Sequence, residues 1–211
     1  IQISSSEMKT YSESYFGTKA GMSNTTVLCL HEDPTSRYIW IGTDGDGINR
    51  FDPETNEFTH YRSTASTKVV SITDFSENEL ALSIYSEGIF IFNKKTGQIR
   101  PLNIEDEELS HMIRFSKRNI YLCREPDGNI LMLGKTIRRL DPKTGKLYPV
   151  DKGEAISSND MLTIRKTDEG IWAHDNKRIF FLKYGATATE TYGTLPETVI
   201  RSGYMADNGL I

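Results

Sequence analysis

Ile39-Trp40-Ile41-Gly42-Thr43-Asp44-Gly45-Asp46-Gly47-Ile48-Asn49-Arg50-Phe51-Asp52-Pro53-Glu54-Thr55-Asn56-Glu57-Phe58 is the stretch whose reading decides the fold. Ile39 to Thr43 is an apolar strand rich in β-formers. Asp44-Gly45-Asp46-Gly47 is a turn, because glycine supplies the positive φ of a tight hairpin. Ile48 to Phe51 is a second strand and Asp52 to Asn56 a second turn. There Pro53 presets φ, and Asn56 tolerates the left-handed conformation that closes a three-to-five-residue loop. Phe58 to Tyr61 begins another strand.

The rest of the chain repeats this run. Trp40 falls on Ala81, then Leu131, then Trp172, in steps of 41, 50 and 41 residues. The second turn recurs independently. Phe51-Asp52-Pro53-Glu54-Thr55-Asn56 matches Phe92-Asn93-Lys94-Lys95-Thr96-Gly97 and Leu140-Asp141-Pro142-Lys143-Thr144-Gly145. Units of four short strands at this pitch are the mark of β-propeller blades. The sequence therefore predicts an all-β fold, a β-propeller of four-stranded antiparallel blades. Complete blades are expected at about 25–62, 68–102, 119–150 and 160–192. Partial blades are expected at 1–15 (Ile1 to Ile3 a third strand, Glu7 to Tyr11 a fourth) and at 198–211. The whole, 1–211, then reads as a piece of a larger propeller. Residues 103–118 are an acidic insertion with a weak helical look, read as a solvated loop. Trp40 and Trp172 are read as packing between blades.

Hydrophobic residues make up 37% of the 211, a value that suits many short strands with one polar face each. Net charge is -4 and the pI near 5.6, so no positive field exists to hold a nucleic-acid backbone or an anionic membrane. No apolar run reaches the roughly 20 residues of a membrane helix. Cys29 and Cys123 lack a metal-type spacing and read as buried thiols. His31, His60, His111 and His174 lie in different copies without ligand spacing. Asp44-Gly45-Asp46-Gly47 lacks the further oxygen ligands of a calcium loop, and Ile48 stands where one is wanted. No nucleophile elbow, zinc helix or phosphate loop occurs. Neither enzyme activity, metal nor cofactor is expected of this chain.

Val27-Leu28-Cys29-Leu30-His31-Glu32-Asp33, the run Ile39 to Asp52, and then Phe58 and Tyr61 closely resemble the two-component regulator propeller repeat. The second copy departs from it at Leu80-Ala81-Leu82-Ser83, the third lacks the tryptophan, and the fourth keeps Gly170-Ile171-Trp172. The resemblance implies the periplasmic sensor region of a hybrid two-component system from gut polysaccharide-degrading bacteria. A membrane helix, a histidine kinase and a response regulator lie elsewhere in such proteins. It implies an oligosaccharide ligand and a homodimer in the full-length protein, with no membrane contact by this piece. The alternative is a non-catalytic scaffold for dimerisation or protein contacts, supported by the acidic stretch 103–109.

In propellers the turns between second and third strands open on one face with the connections between blades. Those turns carry Asp44 and Asp46, Ser86 and Glu87, Lys135, and His174 to Arg178. Carboxylates, amides and arginine all hydrogen-bond sugar hydroxyls. Asp44, Asp46, Glu87, Lys135, His174 and Arg178 are therefore the expected ligand-binding residues.

Overall fold

The computed structural model describes residues 9–12, 14, 18–64, 67–105, 107–114, 119–151, 164–174, 178–194, 205–206 and 209–210. The strands expected at Ile1 to Ile3, at 160–163 and at 198–204 lie outside them, as do the residues Asp175, Asn176 and Lys177. The chain divides into two compact units, 1–69 and 70–211.

The first unit holds one complete blade, with strands β1 (Val27–Glu32), β2 (Ile39–Thr43), β3 (Ile48–Asp52) and β4 (Glu57–His60) in that order. All pairs are antiparallel, with Trp40 opposite His31 and Arg50, and Phe51 opposite Ile39 and Phe58. Directly opposed residues share a face. Leu30, Ile41, Asn49 and His60 therefore lie on one face, together with Ile39, Phe51 and Phe58. The outer half of that face is covered by the chain before β1. Tyr11 packs 5.1 Å from Phe51 and 5.3 Å from Phe58, Ser23 exchanges hydrogen bonds with Asn49, and a His60 ring nitrogen meets Gly21 O at 2.7 Å. Residues 9–12 form no strand. Trp40, on the other face, is 1% exposed and stacks at 5.5 Å on Tyr61. The Cys29 sulfur lies on the Val69 carbonyl at 3.5 Å. Burial pushes its thiol up to about 12.

The second blade comprises β5 (Val69–Ser76), β6 (Glu79–Ile84), β7 (Gly88–Asn93) and β8 (Ile99–Pro101). The third comprises β9 (Tyr121–Arg124), β10 (Ile130–Leu133), β11 (Ile137–Leu140) and β12 (Leu147–Pro149). The fourth comprises β13 (Ile164–Lys166), β14 (Gly170–His174), β15 (Arg178–Lys183) and β16 (Glu190–Thr194). The short strands β17 (Met205–Ala206) and β18 (Gly209–Leu210) pair with each other. Four four-stranded antiparallel sheets are the propeller blades that the repeat predicts.

Blades of the second unit stack through alternating apolar faces, since a sheet buries residues of one parity on each side. Ala81, Ile89 and Ile91 of the second blade pack with Ile120, Leu122, Ile130, Met132 and Leu140 of the third. The opposite face of the third, with Cys123, Leu131, Leu133 and Ile137, packs with Ile171, Ala173, Phe180 and Leu182 of the fourth. Hydroxyls close the seam. Ser71 accepts from Leu122 N–H at 2.9 Å and Thr73 from Arg124 N–H at 3.2 Å, satisfying strand-edge donors that have no ladder partner.

The recurring turn has one geometry. Asp52 Oδ1 accepts from Glu54 N–H at 2.9 Å, Asn93 Oδ1 from Lys95 N–H at 3.0 Å, and Asp141 Oδ1 from Lys143 N–H at 2.9 Å. Four residues after each Asx, Asn56, Gly97 and Gly145 take φ of 59°, 69° and 73°. A fourth example is the Asp33-Pro34-Thr35-Ser36 turn that the sequence places after the opening strand. In the β1–β2 hairpin Asp33 Oδ1 accepts from Thr35 N–H at 2.9 Å and Ser36 N–H at 3.0 Å. Arg37 there has φ 62°.

The β15–β16 hairpin has lost its Asx-Pro signature, and the third blade holds it instead. Glu125 and Arg139 form a buried pair, with Nε to Oε2 at 2.5 Å and Nη2 to Oε1 at 3.0 Å. Glu125 also accepts from Gly185 N–H at 3.0 Å, and Arg139 donates to Ala186 O at 2.9 Å. Asp151 accepts from both Thr189 N–H and its hydroxyl at 2.6 Å.

The insertion differs from the solvated loop expected of it. Residues Glu107–Arg114 form helix α1, and Ile113 packs against the cluster between the second and third blades. Leu109, Met112 and Ile113 recur at helical spacing, a period that the acidic composition masks in a short segment.

Candidate ligand-binding face

The β2–β3 turn is the best-defined part of the expected binding face. Gly45 and Gly47 adopt φ of 113° and 71°, which turn the chain within Asp44 to Gly47. A Cβ on Gly47 would stand 2.1 Å from Thr64 O, so only glycine lets the turn lie against the connector that follows β4. That connector holds it through Gly47 N–H to Thr67 O at 3.0 Å and Ile48 N–H to Thr64 Oγ1 at 3.0 Å.

Two side chains that sequence reasoning passed over complete the cluster. Lys68 Nζ lies 2.8 Å from Asp44 Oδ1, with both side chains part-exposed. Asn24 Nδ2 donates to Asp44 O at 3.1 Å and to Asp46 Oδ2 at 2.9 Å. Asp44, Asp46, Asn24 and Lys68 thus form one half-exposed patch of two carboxylates, an amide and an ammonium. Such a patch both accepts and donates hydrogen bonds, as a polyhydroxylated ligand requires. Asn24 and Lys68 lie on the connections flanking the blade. The rule that these open on the same side as the β2–β3 turn was the available signal.

The other expected residues stand on separate blades. Glu87 is exposed in the β6–β7 turn, between Ser86 at φ 65° and Gly88 at φ 104°. Lys135 is exposed in the β10–β11 turn. His174 ends β14 opposite Ile179 and is 4% exposed, so its ring belongs to the sheet interior. Arg178 opens β15 half-buried, with its guanidinium 5.1 Å from the centre of the Phe180 ring. That stacking fixes the side chain. Among the described residues no group of three or more His, Cys, Asp or Glu could hold a metal ion, and no helix is long and apolar enough to cross a membrane.

No protein-family model matches the sequence, and no curated protein matches it. Solved structures share the fold. One is the extracellular domain ascribed to a hybrid two-component system of B. thetaiotaomicron, 21% identical over 90% of this chain and 27% of that one, at TM-score 0.67. A second such domain from the same organism is 14% identical over 87% of this chain and 25% of that one, at TM-score 0.64. An auxiliary nutrient binding protein from Bacteroides thetaiotaomicron is 16% identical over 81% of this chain and 49% of that one, at TM-score 0.58. The chain spans about a quarter of the length of the two extracellular domains.

Proposed function

We propose that this chain is part of the ligand-sensing propeller of a hybrid two-component system. It lies in the periplasm, binds an oligosaccharide without acting on it, and signals to a histidine kinase across the membrane. The observation that supports this most is the fold shared with the extracellular domain of a hybrid two-component system over 90% of the chain. The Asp44, Asp46, Asn24 and Lys68 patch adds to it, because its mixed donors and acceptors suit hydroxyl groups.

Calorimetry of the complete periplasmic region against a broad panel of glycan fragments tests the reading. Binding is expected, with affinity lowered at least about tenfold by Asp46→Ala, on the order of one lost charge-assisted hydrogen bond. Absence of heat with every glycan would sink the oligosaccharide assignment. A second reading, a scaffold for dimerisation, is favoured by the exposed apolar residues Val27, Leu28 and Leu30. Equilibrium sedimentation of the periplasmic region with and without glycan separates the two.

A further inference from the structure

The two carboxylates of the first blade's half-exposed patch are not equivalent. Lys68 Nζ sits on Asp44 at 2.8 Å. Among the described residues no cation pairs with Asp46, whose Oδ2 meets the neutral Asn24 amide. That amide has two hydrogens, and both are spent, one on Asp46 Oδ2 and one on Asp44 O. The Asn24 Oδ1 accepts from Thr26 N–H at 2.7 Å. Asn24 therefore keeps no hydrogen for a ligand, and the patch is left with one carboxylate whose charge nothing balances.

Asp46 is held in place from inside the blade. Asn49 on β3 is fully buried. It donates to the Ser23 hydroxyl at 2.9 Å and accepts from Ser23 N–H at 2.9 Å. Ser23 Oγ in turn donates to Asp46 O at 3.3 Å. The backbone of Asp46 is thus fixed through Ser23 and one carboxylate oxygen through Asn24. The other oxygen, Oδ1, makes no hydrogen bond among the described residues.

A fixed carboxylate without a cation discriminates by charge. It accepts from paired hydroxyls or from an ammonium, and it repels a second anion. Two like unit charges about 5 Å apart in a water-exposed site weaken binding by about fivefold.

Resting on the oligosaccharide reading of this patch, we infer that Asp46 makes the site selective for uncharged or amine-bearing sugars over uronic acids and sulfated sugars. Asp46 carries the selection, because Lys68 already neutralises Asp44.

The test titrates the complete periplasmic region by calorimetry with a panel of neutral, amino, uronic and sulfated oligosaccharides, at about 20 mM salt, where surface charges are little screened. Each neutral glycan that binds is then presented as its uronic acid and as the primary amide of that acid, a neutral group of the same shape. The acid is expected to bind at least about fivefold more weakly than the amide. The gap should close at about 1 M salt, and it should close in Asp46→Asn. An acid that binds as tightly as its amide overturns the inference, as does a gap that persists in Asp46→Asn. If Asp46→Asn binds neither form, the parent protein decides, and a gap unmoved by salt overturns the inference. Binding confined to uronic or sulfated glycans overturns it while leaving the oligosaccharide reading in place. A panel in which nothing binds overturns that reading, and this inference with it.

Discussion

Truncating Glu125 to alanine should destabilise the fold more than removing any other carboxylate described. The Glu125 side chain is fully buried and that of Arg139 is 9% exposed. Glu125→Ala removes two contacts to the guanidinium and the acceptor of Gly185 N–H. A buried charge left without its partner costs about 3–5 kcal/mol. For a chain of this size that is a fall of roughly 6–20 °C in Tm. The half-exposed Asp44–Lys68 pair is worth no more than about 1 kcal/mol by comparison. Urea unfolding of the intact chain provides the measurement, with Trp172 fluorescence reporting on the fourth blade. The cycle Glu125→Ala, Arg139→Ala and both together should show coupling of about 1–3 kcal/mol. A loss below about 1 kcal/mol, or additive single losses, would refute the idea that this pair locks the β15–β16 hairpin to the third blade.

Turn chemistry yields two further expectations. Gly145→Ala should cost at least about 1–2 kcal/mol, since alanine is strained at φ 73° and its Cβ would meet Asn103 O at 2.9 Å. Arg37→Gly relieves the same strain at φ 62°, and should stabilise by about 0.5 kcal/mol once glycine's extra chain entropy is subtracted. Its ion pair with Glu32 is exposed at both ends. Thermal melts of both variants decide the matter, and destabilisation by Arg37→Gly would refute it. The Lys143 amide and the Thr144 hydroxyl hold the Asp141 carboxyl below its ordinary range. Its folded pKa is depressed, so its contribution is complete above about pH 4 and is lost as pH falls further. Asp141→Asn, which places at this turn the residue that Asn93 already supplies in another, should flatten the stability profile below about pH 4. A profile unchanged from the parent would count against the assignment.

The blades were legible because their markers are local. Ile39 to Phe58 states two strands and two turns through alternation, glycine and Asx-Pro, and three copies at near-constant spacing state the repeat. The turn Asp33-Pro34-Thr35-Ser36 was readable from its Asx-Pro pair, but not its left-handed close at Arg37, where the expected signal is glycine or asparagine. Helix α1 escaped because its apolar residues are few and its N-terminal side is acidic. The Glu125–Arg139 lock could not be read at all. It joins the last residue of one expected strand, Glu125, to a residue of another, and only packing brings them to residues 185 and 186. At the candidate site the turn residues Asp44 and Asp46 were readable. Their partners Asn24 and Lys68 lie 20 or more residues away in connections without a motif.

The Ser71 and Thr73 hydroxyls have a kinetic consequence. Leu122 and Arg124 have amides on a strand edge, yet their protons are held by side chains of β5. Their exchange with deuterium is therefore timed by β5 and not by their own sheet. Any fluctuation that lifts β5 also exposes β9, so these two blades open as one cooperative unit. In a repeat protein, where each unit usually melts on its own terms with its neighbours as a correction, such shared protons set how far a local disturbance travels.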